Sequence, residues 1–171
     1  YGKIAGGGLP LGAVGGTAEA MRLMEYDVER ERSILMAGTF NGNPLVTAAG
    51  TAVLRRLRDE PQLYGRMNAM GDRFRTEINR FAQERDFPAT AIGAGSMFWM
   101  HTLRGPVRSV RDVHRSSGLA NTGLRLLYRR SGLHMPPNHA FMCAAHTDED
   151  VTRLIEIHKS AMEELRAKGV W

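Results

Sequence analysis

The chain has 171 residues, 43% hydrophobic and 24% charged, with a formal charge of +5. Such values are ordinary for a soluble globular protein, and the length suits one domain or parts of two. Cys143 is the single cysteine, so no internal disulfide forms, and no apolar run approaches the ~20 residues of a membrane helix. A cytoplasmic protein with no membrane partner is expected.

Apolar spacing along the chain gives an α/β sketch. A short helix starts at Thr17 and trails towards Arg32 through the charged run EYDVERERS. Asn43 and Pro44 read as N-cap and first helical residue, and Leu45, Ala48, Ala49, Ala52, Val53 and Leu57 follow at helical spacing until Pro61. A longer helix is predicted from Gln62 to Arg85, with a one-sided stripe of Leu63, Met67, Met70, Phe74, Ile78 and Phe81. That stripe is core. PATAIGAGSMFWMHTL reads as extended structure broken by glycine, and Val113 to about Ser131 as a helix with Leu124, Leu127 and Tyr128 on its apolar side. Short extended pieces then flank Pro136 and Pro137. The last helix is capped by Thr147 and Asp150 and buries Val151, Leu154, Ile155, Met162 and Leu165.

Much of the positive charge lies between Arg104 and Arg130, where seven arginines accompany one acid, Asp112. No basic–aromatic interleaving accompanies them, so a solvated helix face is expected and no nucleic acid is expected as partner. His134, His139 and Cys143 lack metal-ligand spacing, and no metal is expected. His146, just ahead of the last helix, is expected to pack or cap.

The opening stretch YGKIAGGGLPLGAVGG sets one lysine, Lys3, against a glycine-rich run. It is not a phosphate-binding P-loop, because the lysine precedes the glycines. It is not a dinucleotide fingerprint either, because Leu11, or Leu9 in the alternative register, stands where glycine is needed. Two uses of the lysine remain open: an ordinary surface charge, or an amine that condenses with a carbonyl while glycine lets backbone approach a flat ring. AGTFNGNPL adds a second cluster: Gly38, Thr39, Asn41, Gly42 and Asn43 stand just ahead of a proline-started helix. Amides and a hydroxyl there suit phosphate, and a plain capped loop has the same sequence pattern.

Four stretches in this order, GKIAGGGLPLGAVGG, AGTFNGNPLVTAAG, GAGSMF and AAHTDEDV, resemble the C-terminal half of class III aminotransferases. These are fold type I enzymes that depend on pyridoxal 5′-phosphate, and the branch most resembled is that of glutamate-1-semialdehyde 2,1-aminomutase. The resemblance implies an α/β fold: residues 1–58 as the end of the large cofactor-binding domain, 59–85 as a long connecting helix, and 86–171 as a small C-terminal α/β domain. In the first part, Ile4 is expected near the end of one strand and Ala13-Val14 in another.

By position, the resemblance makes Lys3 the catalytic lysine that forms a Schiff base with the cofactor. Thr39 and the amide of Gly38 would hold the cofactor phosphate across a homodimer interface. The implied activity is transamination between a small-molecule amino donor and a keto or aldehyde acceptor. Aminomutase chemistry uses the same parts. The family's acidic partner for the pyridinium nitrogen, its stacking aromatic and its second phosphate turn all lie upstream of the lysine, so a missing N-terminal half is expected. A non-catalytic dimerisation module of the same fold is the alternative from another class.

Overall fold

The computed structural model describes residues 1–25, 33–136 and 139–171, with Lys3 described by its backbone alone. The charged end of the expected first helix, residues 26–32, and Pro137 of the Pro-Pro pair lie outside the described residues. The chain divides into two units, Tyr1–Pro61 and Gln62–Trp171.

In the first unit the expected pair of strands is reduced to an isolated antiparallel bridge between Gly2 and Gly12. Tyr1 and Ala13 exchange backbone hydrogen bonds of 2.8 Å in both directions. Ile4 does not end a strand. It sits in a short 3-10 turn, Lys3–Gly6, which closes on Gly7 in the left-handed conformation, φ 61°. A run of Gly6, Gly7 and Gly8 favours such tight turning over extension. Helix α1, Ala18–Arg22, is capped by the Thr17 side chain. Helix α2, Pro44–Asp59, begins as expected: Asn43 Oδ1 accepts from the amides of Leu45 at 3.1 Å and Val46 at 3.2 Å. This unit hides few large apolar side chains. Val46 is buried, whereas Ile4 is 74% exposed, Leu35 87% and Phe40 71%.

The second unit holds a full core. Helix α3, Gln62–Glu84, lays Leu63, Met70, Phe74 and Ile78 inward, with Met67 and Phe81 half-buried at the margins of the stripe. Strands β1 (Thr90–Ala94), β2 (Met97–His101) and β3 (His139–Phe141) form an antiparallel sheet in that order. Ala91 faces Met100, and Trp99 faces both Ile92 and His139. The twofold alternation of a strand sends Phe98 and Met100 into the core. On edge strand β1, Asn79 reaches across from α3: its Nδ2 donates to Ala91 O at 2.8 Å and its Oδ1 accepts from Ala91 N at 2.7 Å. A side-chain amide thus covers backbone groups that an edge strand would otherwise leave open.

The predicted helix Val113–Ser131 is interrupted. Helix α4 is only Val110–Val113, and helix α5 runs Gly118–Arg130. The reason is a second cap: Ser117 Oγ accepts from Ala120 N at 3.2 Å, while Ser117 N donates outward to Thr102 O. Leu124, Leu127 and Tyr128 are buried as expected. Helix α6, Asp148–Ala167, carries the reciprocal Thr147–Asp150 cap, with bonds of 3.1 Å and 2.8 Å. Three of the seven arginines between 104 and 130 meet counter-charges: Arg104 pairs with Asp86, Arg115 with Asp112, and Arg130 with Glu164. Among the described residues no helix is long and apolar enough to cross a membrane.

At the centre of this core stands His158, which has no solvent exposure. Its ring lies against Phe74 and Tyr128, with centroids 4.8 Å and 4.4 Å away. Nδ1 bonds Leu154 O at 2.8 Å, so the neutral ring carries its proton there, and Nε2 has no partner among the described residues. Burial lowers its pKa to about 4, against a smaller opposing effect of the Leu154 carbonyl. The folded state therefore resists a proton that the unfolded chain accepts near pH 6.5. The stability this confers is complete above pH 6.5 and is lost as pH falls towards 4, about 3 kcal/mol in all at ~1.4 kcal/mol per pH unit. Denaturant unfolding at pH 7 and pH 4 should show that extra loss in the wild type and not in His158→Met. Equal losses in both proteins would refute it.

Candidate functional site

Helix α2 organises both clusters singled out in the sequence. The turn Gly38–Asn41 leads into its first residue: Asn41 N donates to Gly38 O at 2.9 Å, and Asn41 Nδ2 to Met36 O at 3.3 Å. Asn41 thereby folds over Gly38 so closely that a Cβ at 38 would lie 2.9 Å from its Oδ1. Thr39 is exposed at the tip. Neither its hydroxyl nor the Gly38 amide has a hydrogen-bond partner among the described residues. Two adjacent free donors at the positive end of a 16-residue helix form an arrangement suited to an anion.

The Lys3 turn sits further along the same helix. A Cβ on Gly50 would lie 2.6 Å from Leu11 Cδ2 and 3.2 Å from Ala5 O. A Cβ on Gly7 would lie 2.9 Å from Val53 Cγ2. The glycine-rich stretch is therefore seated on α2, not loose. From Pro44 to Gly50 is ~9 Å of helix at 1.5 Å per residue. One helix thus seats the lysine turn along its length and follows directly on the free-donor loop at its start. The seating role of Gly50 was missed in the sequence. Its signal was a glycine inside a helix, which costs about 1 kcal/mol relative to alanine and so needs a packing reason.

The sequence profile of the aminotransferase class-III family matches residues 1–128. The chain belongs to that family. Among curated relatives, the glutamate-1-semialdehyde 2,1-aminomutase of Sorangium cellulosum is 35% identical over 164 residues, 94% of this chain and 36% of its own length. The protein of the same name from Thermus thermophilus is 34% identical over 165 residues, 94% of this chain and 38% of its own. Among solved structures, an omega-transaminase from Sphaerobacter thermophilus superposes with a TM-score of 0.80 at 27% identity, over 96% of this chain and 38% of that one. A β-phenylalanine aminotransferase from Variovorax paradoxus gives 0.85, also at 27%, over 97% and 38%. This class-III chain therefore spans little more than a third of the length of these relatives. Its fold is the fold type I architecture implied by the opening motifs.

The second unit of this class-III chain contributes other polar groups, and most are committed locally. His146 Nδ1 accepts from Cys143 N at 3.0 Å, a local turn bond, while the cap of α6 is Thr147. Asp150, which lines a cavity of about 480 Å³ with Phe98, Leu133, Met142 and Leu154, is held by Thr147. The Thr147 amide and hydroxyl keep its carboxyl below the usual carboxylate range. Among the described residues no cluster of His, Cys, Asp and Glu is placed to hold a metal ion.

Proposed function

We propose that this chain is the part of a pyridoxal 5′-phosphate-dependent aminotransferase that supplies the cofactor lysine and one phosphate contact. The observation that carries the proposal is that α2 bears both the Lys3 turn and the unpartnered Gly38–Thr39 donors. Those donors fit a phosphate: an amide and a hydroxyl, both exposed, at a helix N-terminus. Bound there, the cofactor supplies an electron sink for breaking a bond at the substrate carbon that bears the amine. Lys3 holds it covalently through Nζ. The same amine, once released, moves a proton as base and then as acid. Thr39 Oγ1 and the Gly38 amide orient the phosphate of the cofactor held by the neighbouring subunit.

The complete enzyme, on this proposal, moves an amino group from a small-molecule donor to a keto or aldehyde acceptor in the cytoplasm, as a homodimer whose interface contains the cofactor. The exposure of Phe40 beside the donor loop supports a covering subunit. Residues 1–58 close the cofactor domain, 59–85 connect, and 86–171 form the small domain. A second activity is favoured by the relatives named aminomutases: the amine returns to the same carbon skeleton. Isotope-labelled amine found on a second skeleton, or kept on the first, separates the two.

The test of the site is direct. Borohydride reduction of the cofactor-loaded complete protein, followed by peptide mass mapping, should place the label on Lys3. Thr39→Val should weaken cofactor retention by roughly 1.5–3 kcal/mol, the value of a hydrogen bond to a charged group, with thermal stability unchanged. A label on another lysine, or unchanged retention, would overturn the assignment.

A further inference from the structure

We infer that Gly50 is a positioning residue for Lys3. The inference rests on Lys3 being the attachment lysine, and it adds what fixes the backbone that carries Lys3. The turn Lys3–Gly6 is tied locally by backbone bonds, by the Gly2–Gly12 bridge with its Tyr1–Ala13 bonds on one side and by the left-handed Gly7 on the other. What seats it on the rest of the unit is α2. Ala5 O lies 3.2 Å from where a Gly50 Cβ would stand, and Leu11 fills the space a side chain would take. Gly6 meets the same Leu11: a Cβ there would lie 2.8 Å from the Leu11 Cβ. Leu11 is therefore wedged between the lysine turn and the helix, and Gly50 is the socket that admits it.

A methyl group at position 50 requires this packing to shift. At 2.6 Å from Leu11 Cδ2 and 3.2 Å from Ala5 O, it forces the turn to lift or Leu11 to leave. The displacement falls on residues 5–11, next to the lysine. The donor loop, at the start of α2, is untouched. Attachment of the cofactor should suffer while its noncovalent hold does not.

The experiment uses the complete protein stripped of cofactor and then mixed with pyridoxal 5′-phosphate. Condensation of the Lys3 amine with the aldehyde forms a C=N bond and releases one water. Borohydride quenching at intervals, with mass analysis of the Lys3 peptide, gives its rate. Gly50→Ala should slow attachment about ten- to a hundred-fold, the scale of a misplacement near 1 Å. Cofactor affinity measured in a Lys3→Ala background should be the same with and without Gly50→Ala. The decisive arm is Gly50→Ala combined with Leu11→Val. Valine lacks the Cδ atoms, and the next Leu11 atom, Cγ, is 3.9 Å from the added carbon, ordinary contact. The double variant should recover most of the attachment rate.

Wild-type attachment by Gly50→Ala, or no recovery in the double variant, would overturn the inference. Should Gly50→Ala fail to fold, Val53→Ala loosens the same seat without a clash, by removing the Cγ2 that Gly7 packs against. It should slow attachment with an unchanged melting temperature, and wild-type attachment would again overturn the inference. A wild-type protein labelled elsewhere than at Lys3 removes the site assignment itself, and is told apart because it appears before any variant is made.

Discussion

Lys3→Ala in the complete protein is expected to reduce amino-group transfer by roughly a thousand-fold or more, the upper range of what a positioned proton carrier contributes. Two losses coincide at one atom. On the proposed site, Nζ is the point of covalent attachment and also the group that moves the proton, and alanine removes both. Lys3→Arg should restore nothing, because a guanidinium stays protonated and cannot condense with an aldehyde. Cofactor retention should survive in both variants, since the Gly38 amide and Thr39 hydroxyl are independent of position 3. Single-turnover absorbance on mixing with an amine donor measures the transfer, and equilibrium dialysis measures the retention. Full transfer by Lys3→Ala would remove the lysine from the mechanism.

Gly71→Ala is expected to be among the damaging single methyl groups in the second unit. A Cβ on Gly71 of α3 would lie 2.2 Å from Gly95 O and 3.1 Å from Ser96 Cα, both backbone atoms of the β1–β2 turn. No rotamer change relieves such a contact, so the turn itself must shift. That shift breaks the clamp beside it, where Arg75 Nη1 donates to Gly95 O at 2.8 Å and to Met97 O at 2.6 Å. Helix propensity favours alanine by about 1 kcal/mol. Overpacking costs about 1–3 kcal/mol, and hydrogen bonds to a charged group are worth about 1.5–3 kcal/mol each. With one of the two bonds lost, the net expectation is a loss of about 2–5 kcal/mol in denaturant unfolding. Gly65, in the same helix with nothing within 4 Å of its would-be Cβ, is the control. Gly65→Ala should gain about 0.5–1 kcal/mol. Equal effects at the two positions would show that the turn does not rest on α3.

The contrast between those glycines shows what the sequence made legible. Local periodicity was enough for the α3 stripe, the Asn43-Pro44 start of α2 and the Thr147–Asp150 cap, because each is decided within one or two helical turns. The pairing of Gly71 with Gly95, and of Gly50 with Leu11, joins residues 24 and 39 positions apart, and no local pattern records such a meeting. The split between α4 and α5 had a local signal, Ser116-Ser117, but a serine pair is equally at home within a helix face until Thr102 is known to take the Ser117 amide. Strands expected around Ile4 and Ala13 shrank to a bridge because pairing depends on neighbours, and glycine on both sides of the bridge turned the chain instead. For the site, Lys3 and Thr39 stood out only through the family resemblance. Neither residue type is informative alone.

The sparse burial of the first unit has a thermodynamic consequence. With Ile4, Leu35 and Phe40 open to water, few of its own contacts offset the entropy of holding the lysine turn and donor loop in one arrangement. The balance then comes from whatever binds there, and binding free energy becomes folding free energy. A ligand that recognises only the ordered form adds stability as the logarithm of its free concentration, about 1.4 kcal/mol for each tenfold excess over its dissociation constant. The second unit, with its closed core around Phe74, Phe98 and His158, lies outside that coupling. On the proposed function, one chain thus joins a part whose order follows the supply of its ligand to a part whose order does not.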